Sequence, residues 1–436
     1  STSSKVRIIS GKSPANSIVK ELLRMKDLLE ISCGLDVHKE KIVACILTGP
    51  LGKPTHSEIR EFSTLIPDMI ALRDWIVSRN CHHVAMESTG IYWMPIYEIL
   101  EDAFSGDITL LVVNARHMKN VPGKKTDMRD SEWISTLLRA GLLNGSFIPE
   151  KRIREFRDLN RYRKSIIRDI TSQKNRIEKF LQSSGFRLSS FISDIFGASG
   201  KNIILHLIEH GQIDRTALDS CLKTKTRNHI DEILMSVNGT LSEHQKKFLK
   251  ILMNHYDSLK EHLNEIEKDL EQDIEPFILQ VQQLNSIYGI STTASCAIIA
   301  EIGVDMKPFK TAEHICSWAG LCPGNNESAG KRKSTSVTKG NPYIKSMLCE
   351  IAWVIAGKRN TYLSAWYWRI KQKKGAKKAI VALARKLLVI IYTMLKQGTL
   401  FDESCFEARR KNCEQKQLSR YIRELEKHGY HVEAQG

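Results

Sequence analysis

The chain has 436 residues, more than one hydrophobic core usually organises, and this length predicts two or three domains. It contains 65 Lys and Arg against 49 Asp and Glu, so its formal charge is +16 and its pI is about 9.3. This excess favours a polyanionic partner such as nucleic acid, with an anionic membrane surface as the alternative. No run approaches the roughly 18 apolar residues of a membrane span, and the N-terminus lacks a signal-peptide core, so we expect a soluble protein of the cytoplasm.

Residues 31–145 have the pattern of an α/β domain. The predicted elements are a hairpin over 31–48 around the polar break HKEK, a strand from residue 58, a helix near 65–79, a strand over 82–88, a helix over 91–103, a strand over 108–114 and a helix from about 126 to 143. Three strands, helix, strand, helix, strand and helix follow the order of the ribonuclease H-like fold.

Two long periodic stretches predict a helical middle region. The stripe in the second stretch is Leu249, Leu252, Tyr256, Leu259, Leu263, Ile266 and Leu270. The first stretch, residues 151–182, has a weaker stripe that Arg163 and Gln173 interrupt. The pair predicts either a helical hairpin within one chain or a coiled coil between subunits. Residues 186–242, between the two stretches, carry no chemistry that their pattern identifies.

A third region over residues 277–400 is predicted to be mainly helical. Gly289 lies between two helical stretches, and Ser291 or Thr292 is placed to cap the second, which resembles a helix-hairpin-helix element. Such a turn offers backbone N–H groups to a phosphate, so Gly289 is a candidate nucleic-acid contact. The region ends in a basic amphipathic helix, and residues 401–436 form a charged tail with one helix predicted at 415–428.

Four carboxylates fall at corresponding places in the predicted α/β domain. Asp36 ends the first strand, Glu87 ends the fourth, and Asp127 and Asp130 share one face of the last helix. In the proposed fold these elements are adjacent, and four oxygen ligands suit Mg²⁺ or Mn²⁺ acting on phosphodiesters. The cations that flank the aspartates are predicted to hold the nucleic-acid backbone, and they are Lys124, Lys125 and Arg129. Taken singly, each aspartate also fits an ordinary turn or helix cap.

The segment 321–345 combines a glycine and asparagine loop, one serine, a Lys-Arg-Lys triplet and a Thr-Lys-Gly-Asn turn. This composition predicts a loop that approaches phosphates, and the alternative is a solvated basic hairpin in which Ser328 caps a turn. The nearby aromatic residues are predicted to lie in the core rather than to stack on bases, and they are Tyr343, Trp318, Trp353, Trp366 and Trp368. The ten cysteines form no Cys-x-x-Cys pair, so we expect reduced, buried thiols and no zinc ligands.

Four stretches of the sequence together resemble one family. GLDVHK, AMESTG, KKTDMRDSEW and AGLCPGNNESAGKRKSTSVTKGN are similar to the signatures of DEDD-type insertion-sequence transposases, which also resemble the Piv-type DNA invertases. The resemblance implies a RuvC-like domain over residues 1–150, a coiled-coil region over 151–280 with an insertion at 186–242, a transposase domain over 281–400 and a tail over 401–436.

The resemblance also implies site residues. Asp36, Glu87, Asp127 and Asp130 would be the catalytic metal tetrad, and Ser328 would be the nucleophile, with Ser334 and Ser336 as alternative registers. The residues expected to contact nucleic acid beside the serine are Lys331, Arg332, Lys333 and Lys339.

The implied partners are a structured guide RNA together with donor and target double-stranded DNA, in a prokaryotic cytoplasm at the nucleoid. Dimers of the family pair into tetramers, in which the tetrad of one subunit meets the serine of another. Two other functions remain open on sequence grounds. A RuvC-like junction nuclease would need the tetrad without the serine, and a non-catalytic nucleic-acid-binding regulator would need neither.

Overall fold

The computed structural model divides into two compact units, Ser1–Ile148 and Pro149–Gly436. The ranges that the structure describes are 27–88, 90–104, 107–114, 130–324, 326–328, 331–334, 337, 339–359 and 361–429, with the backbone alone at 326–328 and 331–334. Within these ranges, no helix is long and apolar enough to cross a bilayer. The predicted residues Lys124, Lys125, Asp127 and Arg129 lie outside the described residues.

The first unit is built on a five-stranded mixed sheet. Its elements are β1 (Ile31–Val37), β2 (Lys41–Thr48), β3 (His56–Ser63), α1 (Ile66–Ser78), β4 (His83–Glu87), α2 (Trp93–Ala103), β5 (Thr109–Val113) and α3 (Asp130–Arg139). The strand order is β3-β2-β1-β4-β5. β2 is antiparallel to both of its neighbours, β1 and β3, whereas β1, β4 and β5 run parallel to one another.

Helices cover both faces of this sheet, which explains why β1 and β2 are almost continuously buried. On one face, Leu35 and Met86 pack with Leu72 of α1 and Ile96 of α2. On the other face, Ala85 and Val113 of the sheet pack with four apolar residues of α3, which are Trp133, Ile134, Leu137 and Leu138. The prediction of an α/β N-terminal domain followed by a mainly helical remainder is confirmed.

The predicted element boundaries need three corrections. β3 begins at His56 rather than residue 58, because its first two residues pair with Leu47 and Thr48. α2 begins at Trp93, not residue 91. The helix predicted to end at residue 143 ends at Arg139, because Gly141 adopts a positive φ of 66° that leaves the helical region.

The second unit is mainly helical. Its elements are α4 (Lys151–Ser183), α5 (Ala198–His210), α6 (Arg215–Cys221), α7 (Thr224–Arg227), α8 (Ile230–Ser236), α9 (Glu243–Asp273), α10 (Ile278–Asn285), α11 (Thr292–Ile302), α12 (Ala312–Trp318), β6 (Asn326–Ser328), β7 (Lys331–Ser334), α13 (Pro342–Gly357), α14 (Tyr362–Lys374), α15 (Ala376–Gln397) and α16 (Ser404–Lys427). The tail helix α16 is longer than the predicted 415–428, and a short β-hairpin interrupts the helices.

The long helices α4 and α9 pack against each other within the chain. The Gln173 side chain, which interrupts the predicted stripe, is buried and its Nε2 donates to the Leu252 carbonyl at 2.8 Å. Arg163 pairs with Glu267 across the same contact at 2.6 Å. Met253, not Leu252, takes the buried position in the stripe of α9. The two apparent interruptions are therefore polar contacts of an intramolecular helix pair.

The eight cysteines whose side chains are described are all free, and five of them are buried. Burial raises the pKa of Cys45 and Cys81 to about 11 each, so both thiols stay protonated and unreactive near neutral pH. Within the described part of the chain, the expectation of reduced thiols fits this burial.

Candidate functional site

Asp36 and Glu87 end two neighbouring parallel strands in matching register. Three residues of β1 pair with three of β4: Cys33 with Val84, Gly34 with Ala85 and Leu35 with Met86. One position further in the same register, Asp36 lies opposite Glu87. Since side chains alternate along a strand, both carboxylates share the sheet face of Gly34 and Ala85. This is the face that α3 covers.

A glycine lets α3 lie directly on β1. A Cβ atom at Gly34 would overlap the Ser131 carbonyl and lie 2.5 Å from the Ser135 backbone nitrogen. Two serine side chains add hydrogen bonds beside the glycine. Ser32, two residues before Gly34, donates from its Oγ to the Ser135 carbonyl at 3.2 Å, and Ser135 Oγ donates to the Ser32 carbonyl at 3.0 Å. The helix therefore lies closer to the strand than any larger side chain would permit.

These contacts set a repeating register between α3 and β1. Arg139 NH1 donates to the Glu30 carbonyl, Ser135 meets Ser32, and Ser131 lies over Gly34. Four residues of helix rise about 6 Å and two residues of strand about 6.6 Å, so the two elements stay in step while running in opposite directions. Asp130, the first residue of α3, consequently lies toward the strand end that carries Asp36.

The surroundings of the acidic residues are polar. Asp36 is largely buried, and its Oδ2 lies 3.0 Å from Nε2 of the exposed His38. Among the described residues, no group of three His, Cys, Asp or Glu side chains is placed to hold a metal ion. The two register-matched carboxylates are nonetheless hard oxygen donors of the kind that Mg²⁺ binds together with water, so this donor set fits the predicted ion.

The predicted serine lies in a short basic hairpin. β6 and β7 pair antiparallel, with Ser328 opposite Lys331 and Glu327 opposite Arg332, and the register is irregular between Asn326 and Glu327. The backbone thus forms the hairpin that composition offered as one of two alternatives. The side chains of Ser328, Lys331, Arg332 and Lys333 lie outside what the structure describes, whereas Lys339, beyond the hairpin, is exposed.

Close backbone contacts hold Gly340 and Asn341 in place. A Cβ at Gly340 would overlap the Gly320 nitrogen, and the Asn341 backbone nitrogen donates to the Trp318 carbonyl at 3.0 Å. Asn341 then caps α13, because its Oδ1 accepts from the backbone nitrogens of Tyr343 and Ile344. These contacts fix residues 340 and 341 at the start of α13.

A buried carboxylate fixes that capping residue to the long helix α4. Glu301 is only 4% exposed, and its two oxygens each lie 2.8 Å from the guanidinium of Arg161. Asn341 Nδ2 donates to the same carboxylate at 2.6 Å. Arg157 donates to the carbonyls of Ala300 and Glu301 at 2.9 and 2.7 Å. These residues form a buried ionic cluster, defined here as Arg157, Arg161, Glu301 and Asn341.

The arginines of this cluster have different pKa shifts. Burial lowers the pKa of Arg157 to about 10, because its bonds go mainly to neutral carbonyls, although Glu301 opposes the shift. Burial also lowers the pKa of Arg161, but its two bonds to the Glu301 carboxylate outweigh burial and the net direction is upward. Both guanidiniums remain charged at neutral pH. Sequence patterns missed this cluster, because Glu301 ends an otherwise apolar helix and only the Asn341-Pro342 cap has a recognisable sequence signature.

The turn at Gly289 has the predicted form. Gly289 adopts a φ of 89°, and Ser291 caps α11 by accepting from the Ala294 backbone nitrogen at 3.2 Å. A Cβ at Gly289 would lie 3.1 Å from Ile355 Cγ1, so the turn packs on α13. Its role as a nucleic-acid contact stays a prediction.

The prediction that the aromatic residues of this unit lie in the core is wrong for two of them. Trp353 is 54% exposed and Trp368 is 45% exposed, while Trp318, Tyr343 and Trp366 are partly buried. The helical period of α13 turns Trp353 outward, because Ile351, Ala352 and Ile355 take the core positions of that turn.

Two segments of the chain match transposase families. Residues 33–185 match a transposase family of the DEDD IS110 type, and residues 281–368 match the transposase IS116/IS110/IS902 family. The first segment contains the sheet with Asp36 and Glu87, and the second contains the hairpin with Ser328. Both matching segments are thus similar to transposase families of the IS110/IS116 type.

Curated relatives agree with these matches over part of their length. The pilin gene-inverting proteins of Moraxella bovis and Moraxella lacunata are each 32% identical over 127 residues, which is 28% of this chain and 39% of those proteins. The transposase for insertion sequence element IS1111A of Coxiella burnetii is 24% identical over 167 residues, 37% of this chain and 45% of the relative. The matches thus span less than half of the length of each of these relatives.

Proposed function

We propose that the protein is a DNA transposase that cuts and rejoins DNA through a carboxylate-bound Mg²⁺ site and a serine-phosphate intermediate. The observation that carries the proposal is the register of β1 and β4, which brings Asp36 and Glu87 side by side beneath the helix that Asp130 begins. The strand order supports a ribonuclease H-like arrangement of this domain.

The fourth carboxylate of the proposed site is Asp127, which lies outside the described residues. We include it with Asp36, Glu87 and Asp130 because the sequence motif KKTDMRDSEW supplies both aspartates. A bound divalent ion would act as a Lewis acid that offsets charge developing on the phosphate.

The proposed nucleophile is Ser328. Its Oγ would form a bond to the phosphorus of a DNA phosphodiester as it loses its proton, and the bond from phosphorus to the departing DNA oxygen would break as that oxygen gains a proton. Attack by the hydroxyl of another DNA end would re-form a phosphodiester and release the serine. The covalent link retains the bond energy, so strand exchange needs no external energy source.

The test of the metal site uses single conservative changes. Asp36→Asn and Glu87→Gln should each abolish DNA cleavage while leaving the folded state and nucleic-acid affinity nearly unchanged, and chelation of Mg²⁺ should have the same effect. Glu61→Gln on the exposed part of β3 is the matched control, and it should cleave like the wild type. Full cleavage by Asp36→Asn would show that Asp36 does not belong to the metal site and would contradict the proposal.

The test of the serine is a covalent adduct. With a cleavable DNA, the wild type should yield a denaturant-resistant complex whose nucleotide maps to the peptide containing Ser328, and Ser328→Ala should yield none. Ser334→Ala and Ser336→Ala are the controls and should retain adduct formation. An adduct on Ser334 or Ser336 would shift the register of the motif. Metal-dependent nicking that persists in Ser328→Ala would favour the junction-nuclease alternative.

We further propose a structured guide RNA, duplex DNA partners and assembly into dimers and tetramers. The charge of +16 supports a polyanionic partner held through many phosphate contacts. Affinity for RNA and DNA should then fall by about a hundredfold or more between low and physiological salt, and the purified protein should retain a structured RNA. Recombination of a specific DNA by a preparation free of RNA would refute guidance.

A further inference from the structure

One stretch of the second unit is basic without any acidic residue. Between Glu350 and Asp402 the chain contains 11 Lys and Arg and no Asp or Glu, and it forms the end of α13, all of α14 and all of α15. The cations are Lys358, Arg359, Arg369, Lys371, Lys373, Lys374, Lys377, Lys378, Arg385, Lys386 and Lys396. Such a surface attracts polyanions over a distance of about a Debye length.

Two indole rings on this stretch are exposed and fixed in place. The buried Tyr367 lies between them, with ring centroids 6.3 Å from Trp353 and 5.5 Å from Trp368, both edge to face. Trp368 Nε1 also donates to the Ala356 carbonyl at 3.2 Å. Because each ring is held by a buried neighbour, binding to either would cost little conformational entropy.

Ammonium groups lie directly against the exposed rings. Lys371 Nζ is 4.0 Å from the ring centroid of Trp368, and Lys358 Nζ is 3.6 Å from that of Tyr288, which is 48% exposed. The Gly289 turn that follows Tyr288 packs on Val354 and Ile355, next to Trp353 in the sequence. Flat apolar rings and positive charges therefore alternate across the ends of α13 and α14.

We propose that this tryptophan surface, defined as Tyr288, Trp353, Lys358, Trp368 and Lys371, binds an unpaired strand of nucleic acid. The bases stack on the indole rings while the lysines contact the phosphates, a combination that suits single strands because every base has a π-face. The inference deepens the proposed function, on which it rests for the class of partner. It assigns the tryptophans to strand binding and not to the cutting of DNA.

Charge decides against a second copy of the chain as the occupant. In a two-fold symmetric contact, the same patch meets itself, so Lys358 and Lys371 of one copy would lie close to the same two cations of the other copy. A polyanion removes this repulsion and releases counterions as it binds. A single strand also uses the exposed rings, which a duplex with its stacked bases does not.

The test measures affinity for a labelled 12-nucleotide DNA strand of mixed sequence by fluorescence anisotropy, without divalent metal. Trp353→Ala should weaken binding by about tenfold, within the range of one stacked base, and Trp353→Phe should retain most of the affinity. The matched control is Phe191→Ala, since Phe191 is 43% exposed but lies outside the tryptophan surface, and it should bind like the wild type. Equal affinity of the wild type and Trp353→Ala would overturn the proposal.

Two further probes separate stacking from charge. A strand with the same phosphates but abasic sugars should bind the wild type and Trp353→Ala equally, and so should the corresponding duplex. A tenfold loss with these probes too would show that the substitution disturbs the fold or the phosphate contacts. If Trp353→Ala instead changes the oligomeric state and leaves strand affinity intact, the surface joins two copies of the chain.

The outcome is independent of catalysis. The same measurements on Asp36→Asn should give the same tenfold effect of Trp353, because the strand contacts involve no metal ligand. If only the cleavage tests fail, the proposed reaction is rejected and the proposal for the tryptophan surface is retained. If only the effect of Trp353 is absent, the proposal for the tryptophan surface is rejected and the proposed reaction is retained.

Discussion

The two units hold their candidate site residues in different ways. In the sheet domain, α3 lies on β1 through a glycine and two serine hydroxyls, and its position depends on close approach and on neutral hydrogen bonds. In the helical unit, the buried Glu301 carboxylate joins Arg161 to Asn341, the capping residue that follows the basic hairpin in the sequence. The contrast teaches that steric fit positions the helix beside the carboxylates, whereas a buried ion pair positions the cap that follows the basic segment.

The contrast is most sharply tested at Gly34. Gly34→Val should destabilise the sheet domain by at least about 4 kcal/mol, above the usual range for overpacking, because the new side chain would overlap the backbone of α3 rather than a movable side chain. Hydrogen exchange measured by mass spectrometry should show loss of protection in α3. Gly357→Ala is the control, since nothing lies within 4 Å of its added Cβ, and stability there should be unchanged or slightly higher. Unaltered protection of α3 in Gly34→Val would contradict the steric account.

The ionic half of the comparison is tested at Glu301. Glu301→Gln should cost about 3 kcal/mol, because it leaves the guanidinium of Arg161 without its carboxylate in a largely buried place. Glu267→Gln breaks the more exposed pair with Arg163 and should cost at most about 1 kcal/mol. Urea unfolding followed by exchange of α11 and α13 peptides measures both. Similar costs for the two variants would mean that burial of the pair is not what stabilises the cap.

The smallest expected effect comes from the serine contact. Ser135→Ala should cost about 1 kcal/mol, because it removes the bond from Ser135 Oγ to the Ser32 carbonyl and the contact between the two hydroxyls, whereas Ser32 Oγ keeps its bond to the Ser135 backbone carbonyl. In the double variant with Ser32→Ala, the contact between the two hydroxyls is lost only once, so the total cost should be smaller than the sum of the two single costs. A double-mutant cycle by urea unfolding gives the coupling. Additive costs would show that the two hydroxyls act separately.

The sheet domain could be predicted from sequence in most of its detail, and the helical unit only in outline. Two β-rich runs and the polar break HKEK between them located β1 and β2 to within a residue, and the predicted neighbouring strands placed Asp36 and Glu87 together. The contact between Gly34 and α3, about 100 residues later in the chain, could not be predicted from periodicity, because three-dimensional packing determines it.

In the helical unit, apolar periodicity predicted the helices but not their polar contacts. Gln173 looked like a break in the stripe and is instead a buried donor to Leu252. Trp353 looked like core and is exposed, because large aromatic residues favour burial on average while the helix period decides which side is buried. Glu301 could not be found at all, since a lone acid at the end of an apolar helix usually faces solvent.

The shared step of α3 and β1 also limits how this part of the chain can change in length. Four helix residues advance about 0.6 Å less than two strand residues, so the mismatch reaches about 1.2 Å over the eight residues from Ser131 to Arg139. Removal of a single residue from the middle of α3 would turn everything before it by about 100°, and Asp130 would swing away from the strand ends. Insertions and deletions should therefore not be tolerated within the ten residues of this helix.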